Sequence, residues 1–425
     1  MSDSSVELAT YRAWLQERII NSVRSGARGL HEIVAATAGA DPAAVRDVLK
    51  SAISSGRLEQ TASTLADTSI ESEKDDVVEP LLPLAHPLDF DWRFSRRGAA
   101  RLLSKASEQG KVDLCFIAST TVALLAASCG WPGRLLAIDA NGSLLESASR
   151  LHPQIDTARL DVTHDALPQV RAKAVIADPP WYPEHLHSFL WASARLCVAG
   201  GYVLLSMPGE GTRPDIAAER ASALKAAALY GLEVVEIETQ TIRYETPLFE
   251  RNALRAAGVS LPIRFWRRGD LVVFRRTFMP EGDRPVPPPR DGEWTEFTSV
   301  GTRIRFQRAA RSSSCFPQLR SIISGDILPT VSRRDPRRAE ANVWTSGNRV
   351  YACESPAVLH VIAEAAACGS SSAEAVEAFL GRGLRAHEAQ SVLEALDQIA
   401  KLIFVEREEQ AAYARELSEN EIDAS

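Results

Sequence analysis

Ala174-Val175-Ile176-Ala177-Asp178-Pro179-Pro180-Trp181 is a short apolar run that stops at an Asp-Pro-Pro-aromatic tetrapeptide. The run has the length and composition of a strand buried on both faces of a parallel sheet. The two prolines donate no backbone hydrogen bond, and so they end the ladder. One carboxylate, rigid carbonyls and an indole are thereby set at the carboxyl end of a strand, where open α/β sheets carry their ligand sites. The tetrapeptide suits an amino group: Asp178 and the Pro179 carbonyl accept its two N–H bonds, Pro180 stiffens the turn, and Trp181 covers its flat face. Held so, the nitrogen lone pair points along one line, and positioning supplies most of the rate of a transfer to it. The alternative reading is a strand end closed by a rigid Pro-Pro turn, with Asp178 capping the segment after it.

On either side of this stretch, strands alternate with helices over residues 88–280. Val112 to Ile117 is a strand, followed by a helix through Val122, Leu124 and Leu125. Arg134 to Asp139 and Thr157 to Asp161 are two further strands, and each ends on an acid. Gly201 to Ser206, Leu232 to Thr239 and Asp270 to Arg276 come next, with a helix over His187 to Cys197. This alternation predicts an α/β domain with a doubly wound, mostly parallel, Rossmann-like sheet. Met207 to Pro214 contains Gly209 and Gly211 at the same sheet end; it reads as a mobile loop over the site or as a plain connection. Tyr244-Glu245-Thr246-Pro247 is expected at the rim of the pocket. Trp191 has the spacing of a core residue. His185 and His187 read as surface residues rather than a metal pair, and no metal site is predicted.

The flanks differ from this domain. Residues 1–65 read as three helices and a short strand, the layout of a winged-helix module. Asp41-Pro42 opens its third helix, Val45, Val48, Leu49 and Ile53 form the buried face, and Gly56 ends it. Only Arg46 and Lys50, beside Asp47, mark that helix for nucleic acid, so a protein-contact role is the stronger expectation. Residues 66–87 hold Asp67, Glu71, Glu73, Asp75, Asp76 and Glu79 before Pro80, Pro83 and Pro87, an acidic and proline-rich linker. Residues 281–350 begin with a proline-rich stretch and continue as a β-rich segment with 11 arginines against six acids. Its Arg333-Arg334-Asp335-Pro336-Arg337-Arg338 cluster is a candidate anionic-ligand surface or an exposed, solvated hairpin. Residues 351–425 repeat the N-terminal layout, with a third helix running into a strand-like Leu402-Ile403-Phe404-Val405 and a charged tail. Glu388, Glu394 and Asp397 make that helix too acidic for DNA.

Composition bounds the rest. The 425 residues are 45% hydrophobic and 24% charged with net charge −7, the profile of a globular protein and not of a polyelectrolyte binder of nucleic acid. The six cysteines show no metal-type spacing, and Cys115 and Cys197 read as small core residues. No leader and no membrane-length apolar run is read, so the expected location is cytoplasmic, without membrane contact.

The order of strands ending at Asp139, Asp161 and Asp178-Pro179-Pro180-Trp181 resembles that of class I S-adenosylmethionine-dependent enzymes. The final motif looks like that of amino-group methyltransferases acting on adenine, cytosine or glutamine. The resemblance implies S-adenosylmethionine as cofactor, Asp139 on its ribose, Asp161 on its adenine, and Ala118, Ser119 and Thr120 at the turn after the first strand. The likeness is closer still to the branched-chain polyamine synthases, which join a winged helix to such a fold, carry Asp-Pro-Pro at the fourth strand, and use decarboxylated S-adenosylmethionine. His86-Pro87-Leu88-Asp89-Phe90-Asp91 also looks like part of that group. The chain departs from both patterns at Phe116-Ile117-Ala118-Ser119-Thr120-Thr121, which has neither the glycines of the methyltransferases nor the acids of the synthases.

Three readings are open on these residues. The first is methyl transfer to an amino nitrogen of an unidentified acceptor, for which a duplex nucleobase must be flipped out, its phosphates meeting Arg333–Arg338. The second is aminopropyl transfer. The third is a non-catalytic scaffold that meets protein partners through its terminal modules.

Overall fold

The computed structural model describes residues 3–37, 39–58, 76–79, 82–259, 263–278, 283–289, 292–299, 301–308 and 315–422. Two units emerge, one of residues 1–83, 92–246 and 259–289, the other of 84–91, 247–258 and 290–425.

The first unit opens with helices α1 (Asp3–Arg24), α2 (Leu30–Ala36) and α3 (Pro42–Ser54). The Asp41 side chain accepts the Ala43 amide at 2.9 Å, so the expected cap and first-turn proline start α3 as read. Gly56 turns left-handed at φ +69° behind it. Leu15, Ile19, Ile33, Val34, Val45 and Leu49 close the small core between the three helices. Residues 59 and 60 of the expected strand lie outside the described residues, as do 66–75, 80 and 81 of the acidic linker.

Helix α4 (Arg96–Ser107) leads into β1 (Leu114–Ile117), α5 (Thr120–Ser128), β2 (Leu135–Asp139), α6 (Gly142–Leu151), β3 (Ile155–Arg159) and β4 (Ala172–Ala177). Then come α7 (Pro183–Leu196), β5 (Cys197–Pro208), α8 (Ile216–Leu229), β6 (Leu232–Arg243) and, after residue 259, β7 (Arg268–Arg276). The seven strands lie in the order β3-β2-β1-β4-β5-β7-β6, with β7 antiparallel to both neighbours and the first five strands parallel. The fold is therefore α/β with a doubly wound, mostly parallel sheet. Strand alternation divides its core: Phe116, Ala174, Ile176 and Leu204 face the cluster with α4, α5 and α6, whereas Cys115, Ile117, Val175 and Ala177 face that with α7 and α8. The strand order reverses between β1 and β4, so their carboxyl ends open a crevice. Among the proline-rich residues, 279–282 lie outside the described set, while Arg284 lies over the Trp191 ring at 4.9 Å.

The second unit carries α9 (Leu248–Ala256) and a five-stranded antiparallel sheet. Its strands are β8 (Trp294–Ser299), β9 (Thr302–Gln307), β10 (Arg320–Ser321), β11 (Val343–Thr345) and β12 (Val350–Ala352), in the order β10-β12-β11-β9-β8. Helices α10 (Pro356–Ala367), α11 (Ser372–Leu380) and α12 (Ala386–Ile422) cover that sheet. The expected strand at Leu402–Val405 is instead the middle of α12. Val392, Ala395, Ile399 and Leu402 form one buried helical stripe, and Glu406 and Glu409 continue it onto Arg349 at 2.6 and 2.7 Å. A buried salt bridge on the same stripe holds the helix where the local apolar run resembles a strand. Of the segment's arginines, Arg290 and Arg311 lie outside the described residues. Arg337 pairs with Asp335, Arg338 lies 4.3 Å from the centroid of Trp344, and Arg333 lies 5.1 Å from that of Phe90. No helix among the described residues is long and apolar enough to cross a membrane.

Candidate active site

Strand β4 is buried apart from the half-buried Lys173 and ends where Pro179 and Pro180 interrupt the ladder. Pairing persists to Asp178, whose amide donates to the Ile117 carbonyl at 3.0 Å. This fixes Asp178 beside the turn after β1. The carboxylate is oriented from across the sheet: the Tyr244 hydroxyl donates to its Oδ1 at 2.6 Å. Tyr244 comes just after β6, is buried, and also meets the Ser206 hydroxyl of β5. Burial, then the negative charge of Asp178 and the hydrogen bond to it, push the phenol well above its ordinary pKa, so it remains a donor. Phe94 stacks on the tyrosine ring at 4.9 Å.

Trp181 meets Tyr244 edge to face, with ring centroids 5.6 Å apart and planes at 83°. Gly269 on β7 leaves the indole its room, because a Cβ there would stand 2.9 Å from Trp181 Cζ2 and 2.9 Å from Ser206 Oγ. The Trp181 carbonyl accepts from Arg213, which also pairs with Glu219 and lies over the Tyr182 ring at 5.5 Å. Arg213 belongs to the loop after β5. That loop is packed: a Cβ on Gly211 would fall 1.7 Å from Trp14 Cη2, so the indole of α1 sits directly on the glycine. Tyr244, expected at the rim, is a buried holder of Asp178. Ser206, Gly269 and Phe94 carried no local sequence signal, since each matters only through a partner far along the chain. His185, expected at the surface, is buried, because Pro183 starts α7 and turns the third residue of that helix inward.

The other half of the crevice lies beyond β1 and β2. Ala118 takes a left-handed conformation at φ +50°, one that glycine adopts freely and alanine at a cost of about 1–2 kcal/mol. The buried Ser119 hydroxyl donates to the Ile176 carbonyl at 3.0 Å. The Thr120 hydroxyl donates to Asp139 Oδ2 at 3.2 Å, and the Asn141 amide to Oδ1 at 2.9 Å. Asp161 lies two residues beyond β3 and turns to its own neighbours. Its Oδ1 accepts the Thr163 amide at 2.8 Å and hydroxyl at 2.5 Å, and its Oδ2 lies 2.9 Å from His164 Nδ1. Burial raises the Asp161 pKa, but these hydrogen bonds outweigh it and hold the carboxyl below its usual range. Ala118, Asp139 and Asp178 thus share one edge of β2, β1 and β4, with Asp161 one strand further out.

The order β3-β2-β1-β4-β5-β7-β6 with one antiparallel strand is a doubly wound, Rossmann-like arrangement. No protein-family model matches the chain, and no curated protein matches it by sequence. Solved structures similar to it include the branched-chain polyamine synthase of Thermus thermophilus in complex with N4-aminopropylspermidine and 5′-methylthioadenosine. That match has 15% identity over 67% of this chain and 98% of the synthase, with a TM-score of 0.49. The N-methyltransferase NodS of Bradyrhizobium japonicum, in complex with S-adenosyl-L-homocysteine, is similar at 13% identity over 43% of this chain and 86% of that one, with a TM-score of 0.30.

A nucleoside cofactor fits the residues present. Ala118 takes a positive φ of 50° at the turn after β1, a conformation glycine adopts freely, while its Cβ remains where a glycine would leave space. Asp139 offers a carboxylate at the carboxyl end of the neighbouring strand. The fit is narrower than a glycine turn allows, because the Thr120 hydroxyl already reaches Asp139 Oδ2.

Proposed function

We propose that the chain transfers a methyl group from S-adenosylmethionine to an amino nitrogen at Asp178-Pro179-Pro180-Trp181. The observation that carries this is the Tyr244–Asp178 hydrogen bond of 2.6 Å at the carboxyl ends of the central strands. The buried phenol fixes the orientation of the carboxylate at that strand end. In this reading Asp178 and the Pro179 carbonyl take the two N–H bonds of the acceptor, and Trp181 lies along it. Tyr244 acts through Asp178 as a positioning residue. Asp139 would hold the ribose hydroxyls, Asp161 the adenine end, and Ala118 to Thr120 the amino-acid portion. The bound cofactor supplies an electrophilic carbon beside a sulfonium, with a neutral leaving group. The amine therefore needs orientation more than it needs a strong base.

One observation favours a second reading, a non-catalytic scaffold: the Thr120–Asp139 hydrogen bond satisfies part of the carboxylate internally. Calorimetric titration with S-adenosylmethionine and its decarboxylated analogue separates the readings, with Asp139→Ala as control. Binding of the carboxylated form that is lost in the variant supports methyl transfer, and preference for the decarboxylated form indicates aminopropyl transfer. No heat with either form leaves the scaffold.

A further inference from the structure

Resting on this reading of the acceptor site, we propose that Trp14 of α1 is a positioning residue for it. The indole seats the loop after β5, and that loop seats the turn that carries Trp181. Leu15 and Ile19 of α1 already serve the core of the three-helix module. Tyr11, Trp14 and Arg18 form a second stripe on the same helix, each about one turn from the next and so on one face. Within it the Tyr11 and Trp14 rings stack with centroids 6.1 Å apart, and the Arg18 guanidinium lies 5.5 Å from the Trp14 ring centroid.

That stripe meets the loop. A Cβ on Gly211 would fall 1.7, 2.2 and 2.3 Å from Trp14 Cη2, Cζ3 and Cζ2, so the outer edge of the indole lies flat against the glycine. Gly211 is left-handed at φ +84°, so a larger residue there is strained and also displaces the ring. A Cβ on Gly39 would stand 3.4 Å from Thr212 Cγ2, a second contact made by the α2–α3 turn. The ends of the loop are tied elsewhere: Arg220 donates to the Pro208 carbonyl and pairs with Asp270 of β7 at 2.7 Å, and Glu219 of α8 pairs with Arg213. From the same loop Arg213 donates to the Trp181 carbonyl and lies over the Tyr182 ring. A path of contacts thus runs from Trp14 through Gly211 and Arg213 to the last residue of Asp-Pro-Pro-Trp. Where positioning governs the rate, a shift of about 1 Å costs roughly 100-fold, which gives a remote indole its leverage.

Calorimetry on the full chain tests this with two probes. Sinefungin carries an amine where S-adenosylmethionine carries its methyl group, and S-adenosyl-L-homocysteine carries neither. An amine held by Asp178 and the Pro179 carbonyl should make sinefungin bind about tenfold more tightly, the scale of one hydrogen bond to a charged group. Trp14→Ala should close that gap while S-adenosyl-L-homocysteine binds as before, and Trp14→Phe, which keeps a ring on Gly211, should restore it. Arg213→Gln cuts the path without touching α1; it should close the gap equally, and the double variant should lose no more. A lower melting temperature with the gap intact, or losses that add in the double variant, overturns the proposal. If Trp14→Ala does not fold, Gly211→Ala must close the gap in its place. A native chain without the gap removes the acceptor reading, and fluorine NMR of the 5-fluorotryptophan-labelled chain then decides positioning by itself. The Trp181 resonance, identified by Trp181→Phe, should move alike in Trp14→Ala and Arg213→Gln, and a resonance that stays put overturns the proposal. A native gap that both variants keep removes positioning alone.

Discussion

Around Asp178 the groups that matter come from distant strands, whereas around Asp139 and Asp161 each carboxylate is held by residues close to it in the fold or the chain. Tyr244, Ser206 and Gly269 come from or adjoin β6, β5 and β7, and all converge on the tetrapeptide after β4. Asp161 is held by Thr163 and His164, and Asp139 by Asn141 and by Thr120 at the start of α5. The proposed acceptor half is thus orientated by the whole sheet, and the half proposed for the cofactor is held by local hydrogen bonds. A side chain fixed from several strands loses little freedom when substrate arrives, which is what a reaction governed by positioning requires. A carboxylate satisfied locally must exchange partners to bind a ligand, and that exchange lowers the net gain.

Substitutions put this contrast at risk in graded steps. The largest effect belongs to Asp178→Asn, which removes the negative acceptor but keeps the volume. Turnover on a responsive amine should fall about 10²-fold or more with cofactor affinity unchanged, as seen in single-turnover rates and calorimetry. Asp139→Ala should do the reverse, weakening cofactor binding roughly 10- to 100-fold, the loss of a hydrogen bond to a charged group. Equal effects of the two variants on cofactor affinity would erase the division between the halves. Tyr244→Phe should lower turnover about tenfold while Asp178 remains, consistent with one lost hydrogen bond. Its KM for the amine should rise as well, whereas a purely structural phenol would change only the melting temperature.

Two smaller effects concern the cofactor half. Ala118→Gly relieves the left-handed alanine, so its unfolding free energy should stay level or rise by up to about 1.5 kcal/mol, as strain relief of about 1–2 kcal/mol outweighs added chain entropy of about 0.4–1 kcal/mol. Ala126→Gly in α5 should cost about 1 kcal/mol or more under the same urea titration. The smallest effect is in acid. Because the Asp161 pKa is lowered, its contribution is present above the unfolded value of 3.8 and is lost as pH falls through the lower folded value. Thr163→Ala should flatten that acid limb by a few tenths of a kcal/mol, since the carboxylate is partly exposed and screened. Urea midpoints between about pH 5 and pH 3 read the difference.

Legibility in the chain tracks the range of the interactions. The alternation of buried runs and the acids at strand ends are local, and they indicated the sheet and the line of Ala118, Asp139 and Asp178. The Asp41-Pro42 start of α3 and the Pro-Pro stop of β4 are equally local, because capping and the missing proline N–H act within one turn. Leu402–Val405 shows where locality misleads: four apolar residues look like a strand, yet the stripe from Val392 to Glu409 and its anchor on Arg349 keep them helical. The glycine-free turn was legible as a departure, but only backbone geometry reveals that Ala118 takes the left-handed course nonetheless.

Residue order alone was enough for the α/β class and for the element that ends in Asp-Pro-Pro-Trp. It took the folded chain to reveal that Tyr244 holds Asp178 and that Gly269 makes room for Trp181. Strand and cap preferences depend on neighbours a few residues apart, whereas Tyr244 stands 66 positions after Asp178 and reaches it only when β6 and β7 complete the sheet.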